Sequence, residues 1–272
     1  MEVYKSLWAK KQDTNGNFEW VPLYIHLSDT QKVSSLLWEH WLSDSQKNIV
    51  INSIANRDEN IAKNLVMFLG ACHDIGKATP AFQIKKGFAN SNDLDKILKE
   101  KLEQAGFFGI SNINLPSMNK SHHSIASEYI LYRYGVKEDI GSIVGAHHGK
   151  PVDDFTTIKN QIAYESNYYQ EEKSTNPIYQ KWEQIQKYFF SWALNSSGFE
   201  NIDDLPEINQ VGQVILTGLL IMADWIASNT KYFPLFSIYD SINCNLEKRA
   251  EEGFAKWFKT ELWQADYNFD YK

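Results

Sequence analysis

Apolar residues return every three or four positions along most of the chain, which predicts amphipathic helices rather than strands. Val33, Leu37 and Trp38 mark a helix that opens at His26 with Asp29 in its first turn. Ile61, Leu65, Phe68, Leu69 and Cys72 mark a second, with His73 and Asp74 on its last turn. Leu94, Ile97, Leu98 and Leu102 follow the inner side of a charged helix over 94–104, and Ile140, Ile143 and Val144 mark a helix that ends at His147-His148. Trp182, Ile185, Tyr188 and Phe189 give another, 208–229 is the most apolar, and Leu246, Ala250, Phe254 and Trp257 give the last. Residues 4–23 read as an extended lead-in around a polar turn, 78–90 as a loop, and 152–187 as an extended loop passing into a helix. The expectation is an all-α bundle in one domain over 1–262, with an aromatic and polar tail over 263–272.

Three local signals sharpen the helix ends. Gly76 supplies the left-handed residue that stops the second helix and leaves Lys77 projecting from the loop. Ser121 is the predicted N-cap of a helix on which His123, Ser127 and Ile130 share one face. Gly149 and Pro151 close the helix that carries His147 and His148.

The 272 residues are enough for one sizeable core. A net charge of −7 argues against a general polyanion binder, although lysines lie near several motifs: Lys77, Lys85, Lys86, Lys120 and Lys150. The two cysteines form neither a disulfide framework nor a CxxC pattern, and no secretory signal pattern opens the chain, so a cytoplasmic protein is expected. The apolar run over 211–226 contains Gln213 and Asp224 and reads as a buried core helix too short for a bilayer, so no membrane is expected.

Any metal site must then use histidine and carboxylate. The seven histidines, at 26, 40, 73, 122, 123, 147 and 148, include two adjacent pairs. Random placement of this composition would give ~0.2 such pairs. A lone His-Asp pair at a helix end is usually solvated or locally hydrogen-bonded, and His40 reads as ordinary helix surface. Asp224 is harder to explain away: an unpaired carboxylate in so apolar a helix costs several kcal/mol, so it must be protonated, paired or bound to metal. Imidazole with carboxylate suits Mn, Fe, Co, Ni or Zn, whereas Mg prefers oxygen. The spacing matches no HExxH motif. The stretch Gly70 to Lys77 is not a phosphate loop, having one residue too many between its glycines.

In order, the chain carries Leu7-Trp8-Ala9-Lys10, Leu23-Tyr24-Ile25-His26, His73-Asp74-Ile75-Gly76-Lys77, His123 with Ser127, Gly145-Ala146-His147-His148-Gly149, and Ala223-Asp224-Trp225 with Ser228-Asn229. This ordered set resembles the HD superfamily of metal-dependent phosphohydrolases. More narrowly, it resembles the HD nuclease domain of the CRISPR-associated nuclease-helicases of type I systems, its opening Leu-Trp-Ala-Lys being similar to the I-E branch. The resemblance implies an HD-domain helical bundle with two divalent cations, Mn, Co, Ni or Fe, with Mg also admitted. His26, His73, Asp74 and Asp224 would hold one and His123, His147 and His148 the other, with Asp74 bridging. It further implies that Lys77 neutralises a phosphate oxygen and that Ser228 and Asn229 contact substrate. The implied substrate is single-stranded DNA, delivered by a CRISPR surveillance complex (Cascade) and a helicase domain or subunit. The chain has no ATP-binding motif of its own, so it is read as a stand-alone nuclease or the front part of a longer protein. His122-His123-Ser124 departs from the Arg-His-Glu of many members; His123 is taken as the ligand because it keeps the four-residue step to Ser127. Two other readings share these residues: an HD phosphohydrolase acting on nucleotides or cyclic dinucleotides, and a binding module that uses His and Asp structurally.

Overall fold

The computed structural model describes residues 2–87 and 91–259; the tail expected over 263–272 lies outside the described residues. Residues 4–23 are not an unpaired lead-in. They form a hairpin in which β1 (Trp8–Thr14) pairs antiparallel with β2 (Asn17–Pro22). Asn15 and Gly16 join the strands with φ of 55° and 85°, the left-handed pair whose twist matches that of the strands. β3 (Phe236–Ser237) pairs with β2 and completes a three-stranded sheet in the order β1-β2-β3. Trp8 and Trp20 of the hairpin close a small satellite core with Phe82, Leu94, Leu98 and Ile238.

The rest of the described chain is the expected helical bundle. Its axis is α1 (Leu23–His40), which packs against α3 (Glu59–Cys72), α11 (Gln210–Ala227) and α12 (Leu246–Trp257). α2 (Asp44–Ser53) opens on a reciprocal Ser43–Gln46 capping box and packs on α11. α6 (His123–Arg133) and α7 (Glu138–Gly145) pack on each other and carry the C-terminal histidines, while α10 (Pro177–Ser196) covers α3. α5 (Asn92–Gln104) lies under the hairpin. The segment expected as a loop over 78–90 contains α4 (Pro80–Gln83), capped by the Thr79 hydroxyl. The segment over 152–187 folds into α8 (Thr156–Lys159) and α9 (Glu165–Tyr169) before α10 begins, pieces too short to show a helical period.

Three further expectations change. Pro22 sets the start of α1 at Leu23, so Asp29 falls beyond the first turn and faces inward, where its Oδ2 accepts from Arg249 Nε at 3.0 Å. Ser121 does not cap α6: its hydroxyl donates to Gln161 Oε1 at 2.8 Å and accepts from Asn167 Nδ2 at 2.9 Å, and His122 holds the cap position without a side-chain cap bond. α11, at 18 residues, is long and apolar enough to cross a bilayer by length and composition alone. Here its Asp224 face is buried against α1, α2 and α7, and its opposite face exposes Val211, Val214 and Trp225.

Two buried acids make this packing testable. Removing one partner of a buried ion pair strands the other, so Arg249→Ala is expected to lower unfolding free energy by about 3–5 kcal/mol in urea titrations; a loss below about 1 kcal/mol would show that the Asp29 pair does not hold α12 to α1. Glu128 is 1% exposed, packed beside Gly141 and Gly145 of α7, and neither of its carboxyl oxygens has a hydrogen-bond partner among the described residues. Burial, with help from Glu138, pushes its carboxyl up to about 7. The folded state therefore holds a proton that the unfolded chain has released, and stability falls as pH rises from about 4.5 to 7. Glu128→Gln is expected to stabilise by roughly 1–3 kcal/mol at pH 8 and to be near neutral at pH 5; an equal effect at both values would contradict the assignment.

Candidate metal centre

α3 ends at Cys72, His73 caps it, and a 3-10 turn, Ile75–Lys77, follows Asp74. Gly76 is not left-handed as expected. Its position requires glycine for another reason: a Cβ would lie 2.2 Å from the His123 carbonyl oxygen and 2.5 Å from the Ser127 nitrogen. Its N–H donates to Ser127 Oγ at 2.9 Å. This contact lays the His-Asp loop on the first turn of α6 and brings His123 beside Asp74.

The two oxygens of Asp74 face different partners. Oδ2 lies 2.9 Å from His26 Nε2, 3.2 Å from His73 Nε2 and 2.6 Å from Lys77 Nζ. Oδ1 lies 3.5 Å from both His123 Nε2 and His147 Nε2. Asp224 enters from α11, its Oδ1 lying 3.4 Å from His26 Nε2 and 3.5 Å from His73 Nε2 and accepting from Ser228 Oγ at 3.1 Å. His148 Nε2 approaches His123 Nε2 to 2.6 Å. The ligand atoms thus fall into two sets, His26-His73-Asp74-Asp224 and His123-His147-His148, each with its atoms within 4.8 Å of one another.

These residues fit divalent cations. His73 Nδ1 is 2.9 Å from the Gly70 carbonyl and His147 Nδ1 is 2.6 Å from the Val144 carbonyl. With Nδ1–H donating to those oxygens, each Nε2 faces inward, the ring orientation that metal-ligating histidines take. His73 Nε2, His147 Nε2 and Asp74 Oδ1 are buried with no hydrogen-bond partner among the described residues. A bound cation would supply the partner these atoms lack.

The neighbouring groups set the charge states of this centre. Burial alone would raise Asp74, but Lys77, His73 and the neighbouring imidazoles hold its carboxyl well below the usual range. Burial acts likewise on Asp224, and His26 and His73 outweigh it. Burial would lower His73, yet Asp74 and Asp224 raise it to about 10, so near pH 7 its Nε2 carries a proton that a bound cation would displace. In the other set burial lowers His123 far below its ordinary value and lowers His148 as well, so both are neutral ligands near pH 7. His122, aligned beside the ligand, is lowered to about 4 by burial and then by Lys85; its Nδ1 pairs with Ser124 Oγ.

Asp74, His123, His148, Asp224 and Ser228 line the floor of a cavity of about 1030 Å³. Asn229 does not line it: it is exposed and its Oδ1 accepts from the Lys231 N–H. His40 is also on the surface, beside Glu39. Two residues that sequence reasoning left without a role belong here. Lys10 lines the cavity and donates to the Ser228 carbonyl, and buried Gln83 ties β1 to the His-Asp loop, its Nε2 donating to the Trp8 and Lys77 carbonyls, each at 2.8 Å. The Leu-Trp-Ala-Lys motif was the signal that could have found Lys10.

A helical bundle that joins a helix-end His-Asp pair to His and Asp side chains from other helices defines a member of the HD class of metal-dependent hydrolases. Residues 8–233 match the family described as "Cas3, HD domain", and the chain belongs to that family. It is 55% identical over 261 residues to the CRISPR-associated nuclease/helicase Cas3 of Streptococcus thermophilus, covering 95% of this chain and 28% of that protein. The chain therefore spans less than a third of the length of that curated relative. Among solved structures, a CRISPR-associated protein is similar with a TM-score of 0.67 at 21% identity, over 94% of this chain and 26% of that one. The Thermus thermophilus Cas3 HD domain solved in the presence of Ni2+ is similar with a TM-score of 0.56 at 19% identity, over 97% and 95%. T. fusca Cas3-ADP matches with a TM-score of 0.56 at 18% identity, over 93% and 26%. These structures share the fold.

Because protons compete with cations for this centre, Mn2+ or Ni2+ is expected to raise the thermal unfolding midpoint more at pH 8 than at pH 6, and Asp74→Asn to remove most of the rise. Scanning fluorimetry checks this; an equal rise at both pH values, or in Asp74→Asn, would contradict it.

Proposed function

We propose that this chain is the metal-dependent DNA nuclease of a type I CRISPR interference system, and that it hydrolyses phosphodiester bonds of single-stranded DNA with two divalent cations. The observation that carries the reading is Asp74, whose two oxygens face two ligand sets on the floor of one lysine-lined cavity. His26, His73, Asp74 and Asp224 would hold one cation, and His123, His147 and His148 the other, with Asp74 shared. Bound there, two such cations would supply activation of a water and stabilisation of the leaving oxygen in an in-line displacement. The imidazole-rich donor set favours Mn, Co, Ni or Fe over Mg.

The chain's own residues do the remaining work. Lys77, drawn to Asp74, is placed to neutralise a phosphate oxygen, and Ser228 orients Asp224. The cavity counters the net charge of −7 by gathering Lys10, Lys77, Lys85, Lys86 and Lys99 around the centre. Its lining also includes Phe82, Ile113, Leu115 and Met118, an apolar surface that suits unstacked bases, which a single strand offers and a duplex withholds. The length and name of the Streptococcus relative support a helicase as partner, in the same polypeptide or a separate subunit, with a CRISPR surveillance complex delivering the strand.

Protein stripped of metal and resupplied with Mn2+, Co2+ or Ni2+ is expected to degrade single-stranded DNA and to lose that activity in chelator. Asp74→Ala is expected to bring cleavage to background while leaving the helical circular dichroism unchanged. Cleavage by Asp74→Ala would remove the mechanism, and hydrolysis of nucleotides or cyclic dinucleotides without DNA cleavage would favour that alternative.

A further inference from the structure

We propose that Lys10 forms, with Lys77, a two-lysine phosphate-binding subsite flanking the carboxylates, and that Gln83 is the positioning residue for both lysines. The inference rests on the nuclease reading and adds to it a strand-anchoring point on β1, far in sequence from the His-Asp loop.

Four consecutive residues, Trp8 to Lys11, line the cavity. A flat strand sends alternate side chains to opposite faces and could not do this. β1 is not flat here: Trp8 pairs with Pro22 and Lys10 with Val21, so two steps on β1 match one on β2, a bulge centred on Ala9. Bulges re-aim side chains, and this one coincides with the centre. Lys11 is consumed by Asp95, at 2.7 Å, leaving Lys10 as the strand's cation over Asp224.

The bulge is fixed by a single buried side chain. Gln83 Oε1 accepts from the Trp8 N–H at 3.1 Å while its Nε2 donates to the Trp8 and Lys77 carbonyls. Trp8 Nε1 in turn donates to the Gln83 carbonyl at 3.1 Å. One amide therefore holds the two lysine-bearing segments in register, and Lys10 and Lys77 line the cavity on which both carboxylates open. The bland alternative is that Lys10 only struts the C-terminus of α11, where it donates to the Ser228 carbonyl. That contact uses one of three ammonium protons and leaves two for a phosphate.

The test is binding of a fluorescent oligothymidylate to metal-free protein, by anisotropy across a salt series, in wild type, Lys10→Met, Lys10→Arg and Gln83→Leu. Loss of one phosphate contact predicts roughly fivefold weaker binding by Lys10→Met at 0.1 M salt, with the slope of log K against log salt falling by about 0.7. Lys10→Arg should keep the slope, and Gln83→Leu should weaken binding although it removes no charge. With metal, Lys10→Met should raise KM more than it lowers kcat. Wild-type affinity and slope in Lys10→Met, whatever its melting temperature, would reduce Lys10 to a strut and overturn the proposal, as would a wild type that does not bind. Should Lys10→Met fail to fold, a slope that falls in Lys10→Arg, or an unchanged affinity in Gln83→Leu, would overturn the proposal. Failure of the nuclease reading would show separately, as metal-loaded wild type that binds the oligonucleotide without cutting it.

Discussion

A carboxylate that is 1% exposed is among the costliest groups a fold can bury, and Asp74 is one. The effective penalty is several kcal/mol per ion unless the charge is surrounded by partners. The fold surrounds it: His26 from α1, His73 from the end of α3, His123 from α6, His147 from beyond α7, and Lys77 from its own turn. Each element that contributes a partner is also a wall of the main core. The arrangement of the bundle and the electrostatics of one side chain are therefore the same constraint seen at two scales.

That constraint explains the local features around it. The loop after α3 must lie directly on α6, which is why position 76 has no room for a Cβ and why Ser127 receives its N–H. The ring nitrogens facing away from the centre are tied to helix carbonyls, so the orientation of the inward nitrogens is fixed before any cation arrives. The hairpin, an addition to the helical bundle, brings a cation to the other side of the same cavity. Net charge misleads here because six lysines line the cavity beside its two carboxylates, Asp74 and Asp224.

Much of this was legible in the residues because they break the hydrophobic pattern. Asp224 interrupts the most apolar helix, and His73-Asp74 and His147-His148 interrupt helix ends, so the period that reveals the helices also exposes the exceptions. What escaped depends on contacts distant in sequence. The Asn15-Gly16 turn was a readable hairpin signal, but the strands it joins are mixed in polarity and one is bulged. Gly76 was assigned the commonest reason for a glycine after a helix, because only the approach of α6 reveals the other. Ser121 was spent on Gln161 and Asn167 from a segment whose helices are too short for periodicity. Lys10 and Gln83, more than seventy residues apart, acquire meaning only when β1 and α4 meet.

One oxygen of buried Asp74 faces each of the two sets of side chains. Anomalous diffraction at the manganese edge, from crystals soaked in Mn2+, tests most directly whether that carboxylate is shared between two ions. Two peaks are expected, one among His26, His73 and Asp224 and one among His123, His147 and His148, with Asp74 touching both. A single peak, or a pair in which Asp74 contacts only one ion, would contradict the sharing.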